Sequence, residues 1–183
     1  FKNWHKVSLF ELIFLFFTLN FYPLIDKVVI LAGGLGTRLK GLLGELPKPM
    51  APINKLPFLH YLLNYLSNQG VKEVFLCVGF QHEVITRYFG DHFRDIKIFY
   101  TIEKELLGTG GAIMPVLEKW SEPFFLLNGD TFFEANLTSF SEAFFKLSPL
   151  ASLSLKPVFN QDRYGAVQLE GDRISSFTEK KFL

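Results

Sequence analysis

A chain of 183 residues, 49% hydrophobic and 20% charged, holds enough apolar material for one well-buried core and too little length for several. Its 19 basic and 18 acidic side chains are interspersed and leave a net charge of +1, which excludes the broad basic face that nucleic-acid binding rests on. The single cysteine, Cys77, lies in an apolar run and has no partner for an internal disulfide, as expected of a core residue in a reducing compartment.

Residues 1–25 stand apart from the rest of the chain. Residues 7–17 are rich in Leu and Phe and follow Lys2 and Lys6, in the manner of a signal peptide or membrane anchor. Glu11 interrupts the run, whose unbroken apolar part falls well short of the ~20 residues of a spanning helix, and no small-residue cleavage site follows. The expected reading is a membrane-surface helix or an upstream extension outside the working protein. The chain also begins at Phe1 rather than Met, as a fragment does.

From Asp26 onward, short apolar runs alternate with helical periodicity, the pattern of βαβ units around a largely parallel sheet. The first strand is predicted over 27–32. It runs into Gly33-Gly34-Leu35-Gly36, where three glycines in four positions let consecutive N–H groups turn toward phosphate oxygens. Arg38 and Lys48 supply two cations, and Pro47 and Pro49 bracket the lysine and hold its backbone extended. Together these predict a cradle for a nucleoside triphosphate, although an isolated glycine run serves a tight strand-to-helix turn equally well. The spacing is neither G-x-G-x-x-G nor G-x-x-x-x-G-K-[ST], which argues against a dinucleotide site and a P-loop. A redox Rossmann domain is further disfavoured because no suitable acid ends a second strand about 20 positions on.

A helix is predicted over 57–69, with Phe58, Leu59, Leu62, Leu63 and Leu66 on one face and Gly70 as its C-cap. Strands over 71–78 and 96–101, with helices over 81–89 and 110–120, continue the alternation. The wholly apolar run 123–127 stops at Asn128-Gly129-Asp130, as a buried central strand does when it delivers polar residues to the sheet's carboxyl edge. Asp130 there suits Mg²⁺, an ion that takes one or two carboxylates and shares substrate phosphates; capping of the next segment is the plainer alternative. Residues 137–147 read as an amphipathic helix and 151–156 as extended. Segments 165–169 and 173–178 flank a Glu170-Gly171-Asp172 hairpin signal.

Six segments, 31–39, 47–52, 107–112, 128–130, 163–165 and 177–180, occur in the order found in the sugar-1-phosphate nucleotidylyltransferases, which the chain resembles from about 26 to 181. Within that family it looks most like the D-glycero-α-D-manno-heptose 1-phosphate guanylyltransferases, on segments such as 79–90 and 128–133. The resemblance implies an α/β fold, a Rossmann-like three-layer sandwich of the nucleotide-diphospho-sugar transferase type with a mostly parallel central sheet. Residues 26–183 would form its N-terminal and central part. It implies attack of a sugar 1-phosphate oxygen on the α-phosphorus of a nucleoside triphosphate, with Mg²⁺ as cofactor, in nucleotide-sugar synthesis for lipopolysaccharide or capsule. The expected compartment is the cytoplasm, where nucleoside triphosphates are found.

By the same resemblance, Leu31 and Ala32 bind the nucleotide, Gly33, Gly34, Leu35, Gly36 and Thr37 hold the triphosphate, Arg38 pairs with the departing pyrophosphate, and Lys48 meets the α-phosphate. Gly108 and Thr109 approach base and ribose. Glu103, just before them, suits the N1–H and N2–H donors of guanine, which adenine lacks, and is the basis for expecting GTP; an exposed acid paired with Lys97 or Lys104 is the alternative. Asn128, Gly165, Glu179 and Lys180 are expected at the sugar phosphate, although Glu179 and Lys180 alone read as a solvated charge run. Phe132 and Phe133 beside Asp130 are candidates to line the sugar pocket, and the four histidines are read as structural. The family's second metal-binding aspartate lies further downstream than Leu183, so truncation at the C-terminus is expected. A nucleotide- or sugar-nucleotide-binding regulatory module without turnover is the alternative function.

Overall fold

The computed structural model describes residues 22–34, 44, 46–103, 105, 108–157 and 166–178. β1 (Lys27–Ala32) is an inner strand of a five-stranded sheet. A 3₁₀ turn (Lys48–Met50) and a small hairpin, β2 (Pro52–Ile53) with β3 (Leu56–Pro57), lead into α1 (Phe58–Asn68). Next come β4 (Glu73–Val78), α2 (His82–Phe89), β5 (His92–Phe93) and β6 (Ile96–Ile102). α3 (Gly108–Leu117), β7 (Phe125–Asn128) and α4 (Leu137–Leu147) complete the unit that ends at Leu150. The sheet order is β5-β6-β4-β1-β7, parallel throughout except for β5, which runs antiparallel to β6.

Successive residues of β1 and β4 point to opposite faces, and both faces are covered, which is why the two strands read as unbroken apolar runs. On one face Val28, Ile30 and Ala32 join Val74, Leu76 and Val78. Against them pack Leu59, Leu62, Leu63 and Leu66 of α1, Ile85 and Phe89 of α2 and Leu137 of α4. On the other face Val29, Phe75 and Cys77 meet Ala112 and Val116 of α3 and the ring of Trp120. Phe75 stacks on Phe99 at 5.1 Å and takes Trp120 edge-on at 4.9 Å. Helices on both faces of a mostly parallel sheet make the three-layer α/β sandwich that the resemblance implies.

The predicted elements survive with shifted ends, but the run 123–127, expected as a buried central strand, forms an edge strand among the described residues: β7 pairs with β1 alone and leaves Leu126 exposed. The strand expected from Val71 opens at Glu73, because the Val71 N–H still donates to Leu66 O at the end of α1 and the Lys72 N–H is taken by Asp26 O. α3 starts two residues earlier than expected, at Gly108, and stops at Leu117. The run 151–156 joins no sheet. The second compact unit, Ala151–Leu183, contains the antiparallel hairpin of β8 (Ala166–Glu170) and β9 (Arg173–Thr178), turning at Gly171 and Asp172 with a register shift between Gln168 and Leu169.

Candidate active site

The chain steps from β1 to β4 to β6 on one side of the sheet and then crosses back, through α3, to β7 on the other side of β1. In open α/β sheets the crevice outside the carboxyl ends of the strands at such a reversal is where ligands bind. Four strands deliver their exits there: Gly33 and Gly34 after β1, Gly79 after β4, Glu103 after β6 and Gly129-Asp130 after β7. Two exits are pinned by one bond beyond the ladder, Glu103 N–H to Val78 O and Gly129 N–H to Leu31 O, each 2.8 Å.

A cavity of about 370 Å³ opens at this point. Apart from the pocket candidates Phe132 and Phe133, ten expected site residues lie among the described ones, and all ten line it: Leu31, Ala32, Gly33, Gly34, Lys48, Glu103, Gly108, Thr109, Asn128 and Asp130. Leu35, Gly36, Thr37, Arg38, Gly165, Glu179 and Lys180 lie outside the described residues. Pro49 and Ala112 also line the cavity; both fall inside the family's motifs, but being apolar they carry no chemical signal of their own. Phe132 and Phe133 are not in its lining; Phe132 instead meets Tyr65 edge-on at 5.1 Å.

The lysine and the aspartate, 82 residues apart in sequence, face each other across the cavity, Lys48 Nζ to Asp130 Oδ2 at 3.4 Å. Lys48 does not run extended as expected between the two prolines; only Pro47 is extended, and Lys48 opens a 3₁₀ turn that the Met50 N–H closes on Pro47 O at 2.8 Å, with Pro49 and Met50 buried beneath it. Thr131 Oγ1 donates to Asp130 Oδ1 at 3.3 Å. The two charged side chains keep 29% and 43% of their surface, so their attraction is screened and adds little stability. The pair instead concentrates a cation and an anion where strand ends, glycines and a helix start converge.

Gly33 and Gly79 touch backbone to backbone. A Cβ on Gly79 would lie 2.9 Å from Gly33 O, and one on Gly33 would lie 3.1 Å from Glu103 Oε1. Sequence reading misses the role of Gly79, because a glycine ending a strand carries no sign of its distant partner. Gly108 and Thr109 begin α3, and the first turn of a helix leaves N–H groups without intrahelical partners, a natural receptor for anions. Cys77 lies behind α3 with its thiol donating to Ala112 O at 3.3 Å, and burial pushes its pKa up, which leaves it an inert core residue. Among the described residues, none of the histidines lines the cavity. His60, for example, sits among Tyr61, Tyr88 and Phe93. Among the described residues no three His, Cys, Asp or Glu side chains group as an all-protein metal cage, and no helix is long and apolar enough to cross a membrane.

Sheet, reversal point and glycine-lined crevice define a Rossmann-like α/β protein with a cavity at the carboxyl edge of β1. Residues 27–181 match the nucleotidyl transferase family, and the chain belongs to it. It is 49% identical over 157 residues to the D-glycero-alpha-D-manno-heptose 1-phosphate guanylyltransferase of Campylobacter jejuni, an alignment covering 85% of this chain and 69% of that one. Identity to the protein of the same name from Aneurinibacillus thermoaerophilus is 44%, over 85% of this chain and 68% of the relative. Among solved structures, HddC from Yersinia pseudotuberculosis complexed with GMP-PN superposes with a TM-score of 0.70 at 38% identity, over 85% of this chain and 69% of that one.

Proposed function

We propose that this nucleotidyltransferase condenses GTP with a sugar 1-phosphate, a D-glycero-α-D-manno-heptose 1-phosphate, to give a guanosine diphosphate sugar and pyrophosphate. Residues 26–183 are read as the N-terminal and central part of its catalytic domain. The observation that carries the reading is the convergence of ten expected residues, from separated segments, on one cavity with Lys48 and Asp130 paired inside it. The two relatives' names and the guanine nucleotide bound by HddC support the choice of base and sugar.

In the reaction an oxygen of the sugar phosphate forms a bond to the α-phosphorus, and the bond from that phosphorus to the bridging oxygen breaks. Pyrophosphate leaves with the electron pair. Such a displacement asks little covalent work of the protein, so rate comes from alignment and from neutralising charge on the phosphoryl oxygens. The amides of Gly33 and Gly34, and those opening α3, would fix the triphosphate. Lys48 would meet the α-phosphate as a point charge, and Arg38 would pair its planar fork with the pyrophosphate. Glu103 would accept from the guanine edge, and Asn128, Gly165, Glu179 and Lys180 would take the sugar phosphate.

The donor set fits a divalent cation of the magnesium type. Asp130 presents a half-exposed carboxylate at the cavity, and Mg²⁺ asks for one or two carboxylates, several waters and substrate phosphates rather than a closed protein cage. Bound there, the ion would neutralise charge on the triphosphate. A cytoplasmic enzyme feeding activated heptose to surface polysaccharide is the role this chemistry serves.

The test is pyrophosphate release by the purified full-length protein with Mg²⁺, each of the four common nucleoside triphosphates and a panel of sugar 1-phosphates. Release with GTP and heptose 1-phosphate above all other pairs is expected. Tight nucleotide binding with no release from any pair would instead identify a binding module.

A further inference from the structure

Asp130 stands at the start of a segment, 129–136, that has no helix or strand of its own. What fixes its course lies on α1. The Tyr65 hydroxyl donates to Ala135 O and accepts from the Ala135 N–H at 2.9 Å, so one side chain takes both backbone polar groups of a residue 70 positions away. The Tyr65 ring also receives the edge of Phe132, at 5.1 Å and 66° between planes. One helical turn on, at i+4 on the same face, Gln69 Oε1 accepts from the Leu137 N–H at 3.2 Å.

α4 does not need Tyr65 to stay in place. Its N-terminus is capped by Asn136 Oδ1 accepting from the Ser139 N–H at 2.8 Å, and its buried Ser141 takes the Ile25 N–H at 3.2 Å. Leu137 packs into the core as well. The particular contribution of the Tyr65 hydroxyl is therefore to the stretch between the sheet and α4, and that stretch carries Asp130. We propose that Tyr65 is a positioning residue for the active site, gripping the loop at Phe132 and Ala135 so that the Asp130 carboxylate is held toward Lys48 and the cavity. This rests on the function proposed above. Its energetic logic is pre-organisation: a loop tied at two points has less freedom to lose when the cation and triphosphate arrive, and small displacements of such groups are costly in rate.

The experiment compares the full-length chain with Tyr65→Phe, which keeps the ring against Phe132 and removes only the hydroxyl, in both the native and the Asp130→Asn background. Three readouts are taken: pyrophosphate release with GTP, heptose 1-phosphate and Mg²⁺; Mn²⁺ affinity in the presence of GTP; and amide hydrogen exchange across 130–136. Tyr65→Phe is expected to lower kcat about tenfold, with KM for GTP within about twofold, to weaken Mn²⁺ binding, and to speed exchange at Ala135 and its neighbours but not within α4. In the Asp130→Asn background the same change should cost less than about twofold, since the effect runs through the carboxylate. An equal loss in both backgrounds, or unchanged exchange across 130–136, would overturn the proposal. If the native chain releases no pyrophosphate at all, the function is refuted while loop exchange and Mn²⁺ affinity still decide the role of Tyr65. Should Tyr65→Phe fail to fold, protection of the Ala135 amide in the native chain decides: an amide exchanging as fast as those of Phe133 and Glu134 contradicts the grip.

Discussion

At the scale of single residues, the cavity depends on what two glycines leave out, and the proposed choice of GTP on what one glutamate can accept. A methyl group at Gly79 would sit 2.9 Å from Gly33 O, and neither backbone has room to yield without moving the exits of β1 and β4 apart. Gly79→Ala is therefore expected to destabilise the protein by about 1–3 kcal/mol, the usual range for overpacking, and to weaken GTP binding together with stability. Thermal unfolding and a nucleotide titration check it; an unchanged Kd would show that the Gly33 backbone does not face the phosphates. Glu103 lines the same cavity. A carboxylate accepts two hydrogen bonds from guanine, whereas a glutamine in its place offers one acceptor and an unwanted donor. Glu103→Gln should reduce the preference for GTP over ATP about tenfold, measured as the ratio of kcat/KM values. An unaltered ratio would return Glu103 to a purely structural role.

At the scale of elements, β6 carries a pH-sensitive contact remote from the chemistry. Tyr100 donates its hydroxyl to Gly90 O at 2.5 Å, and burial, with a smaller contribution from the Asp91 charge, pushes its pKa up from 10.0 to about 12. The folded chain thus holds the phenol proton more tightly than the unfolded chain. The associated stability is fully present below pH 10 and is lost as pH rises from 10 to about 12. Unfolding curves of the native chain and of Tyr100→Phe should diverge in shape only in that window, with the native chain falling more steeply. Parallel curves would contradict it.

Elements also differ in how plainly they are written in the sequence. β1 and α4 match their predicted spans, and α1 falls within one residue of its own at each end, because apolar periodicity and flanking prolines, glycines or an asparagine cap agree locally. β5 and the β2–β3 hairpin escape sequence reading for the opposite reason. Each strand has two residues, too few to show an alternation, and the hairpin turns through Asn54 and Lys55, both at positive φ, where a glycine at the second position is the usual signal.

At the scale of the whole molecule, the glycine cradle, the proline-flanked lysine and the aspartate just past the apolar run 123–127 are each legible as types of residue in a pattern. Their meeting is not. Lys48 and Asp130 lie 82 positions apart, Tyr65 and Ala135 70 apart, and only the order of strands in the sheet brings such pairs together. Local spacing can announce an anion cradle or a metal carboxylate, but the partner of a glycine or a tyrosine across the fold is decided by topology.

That convergence is most directly tested by pyrophosphate release from GTP and heptose 1-phosphate in Lys48→Ala, Asp130→Asn and the double variant. If the two side chains serve one triphosphate, each single change should lower kcat by about 10²–10³, and the double variant should be little worse than the poorer single one. Losses that multiply, or a single variant that keeps native turnover, would mean that Lys48 and Asp130 do not act on the same substrate in a shared cavity.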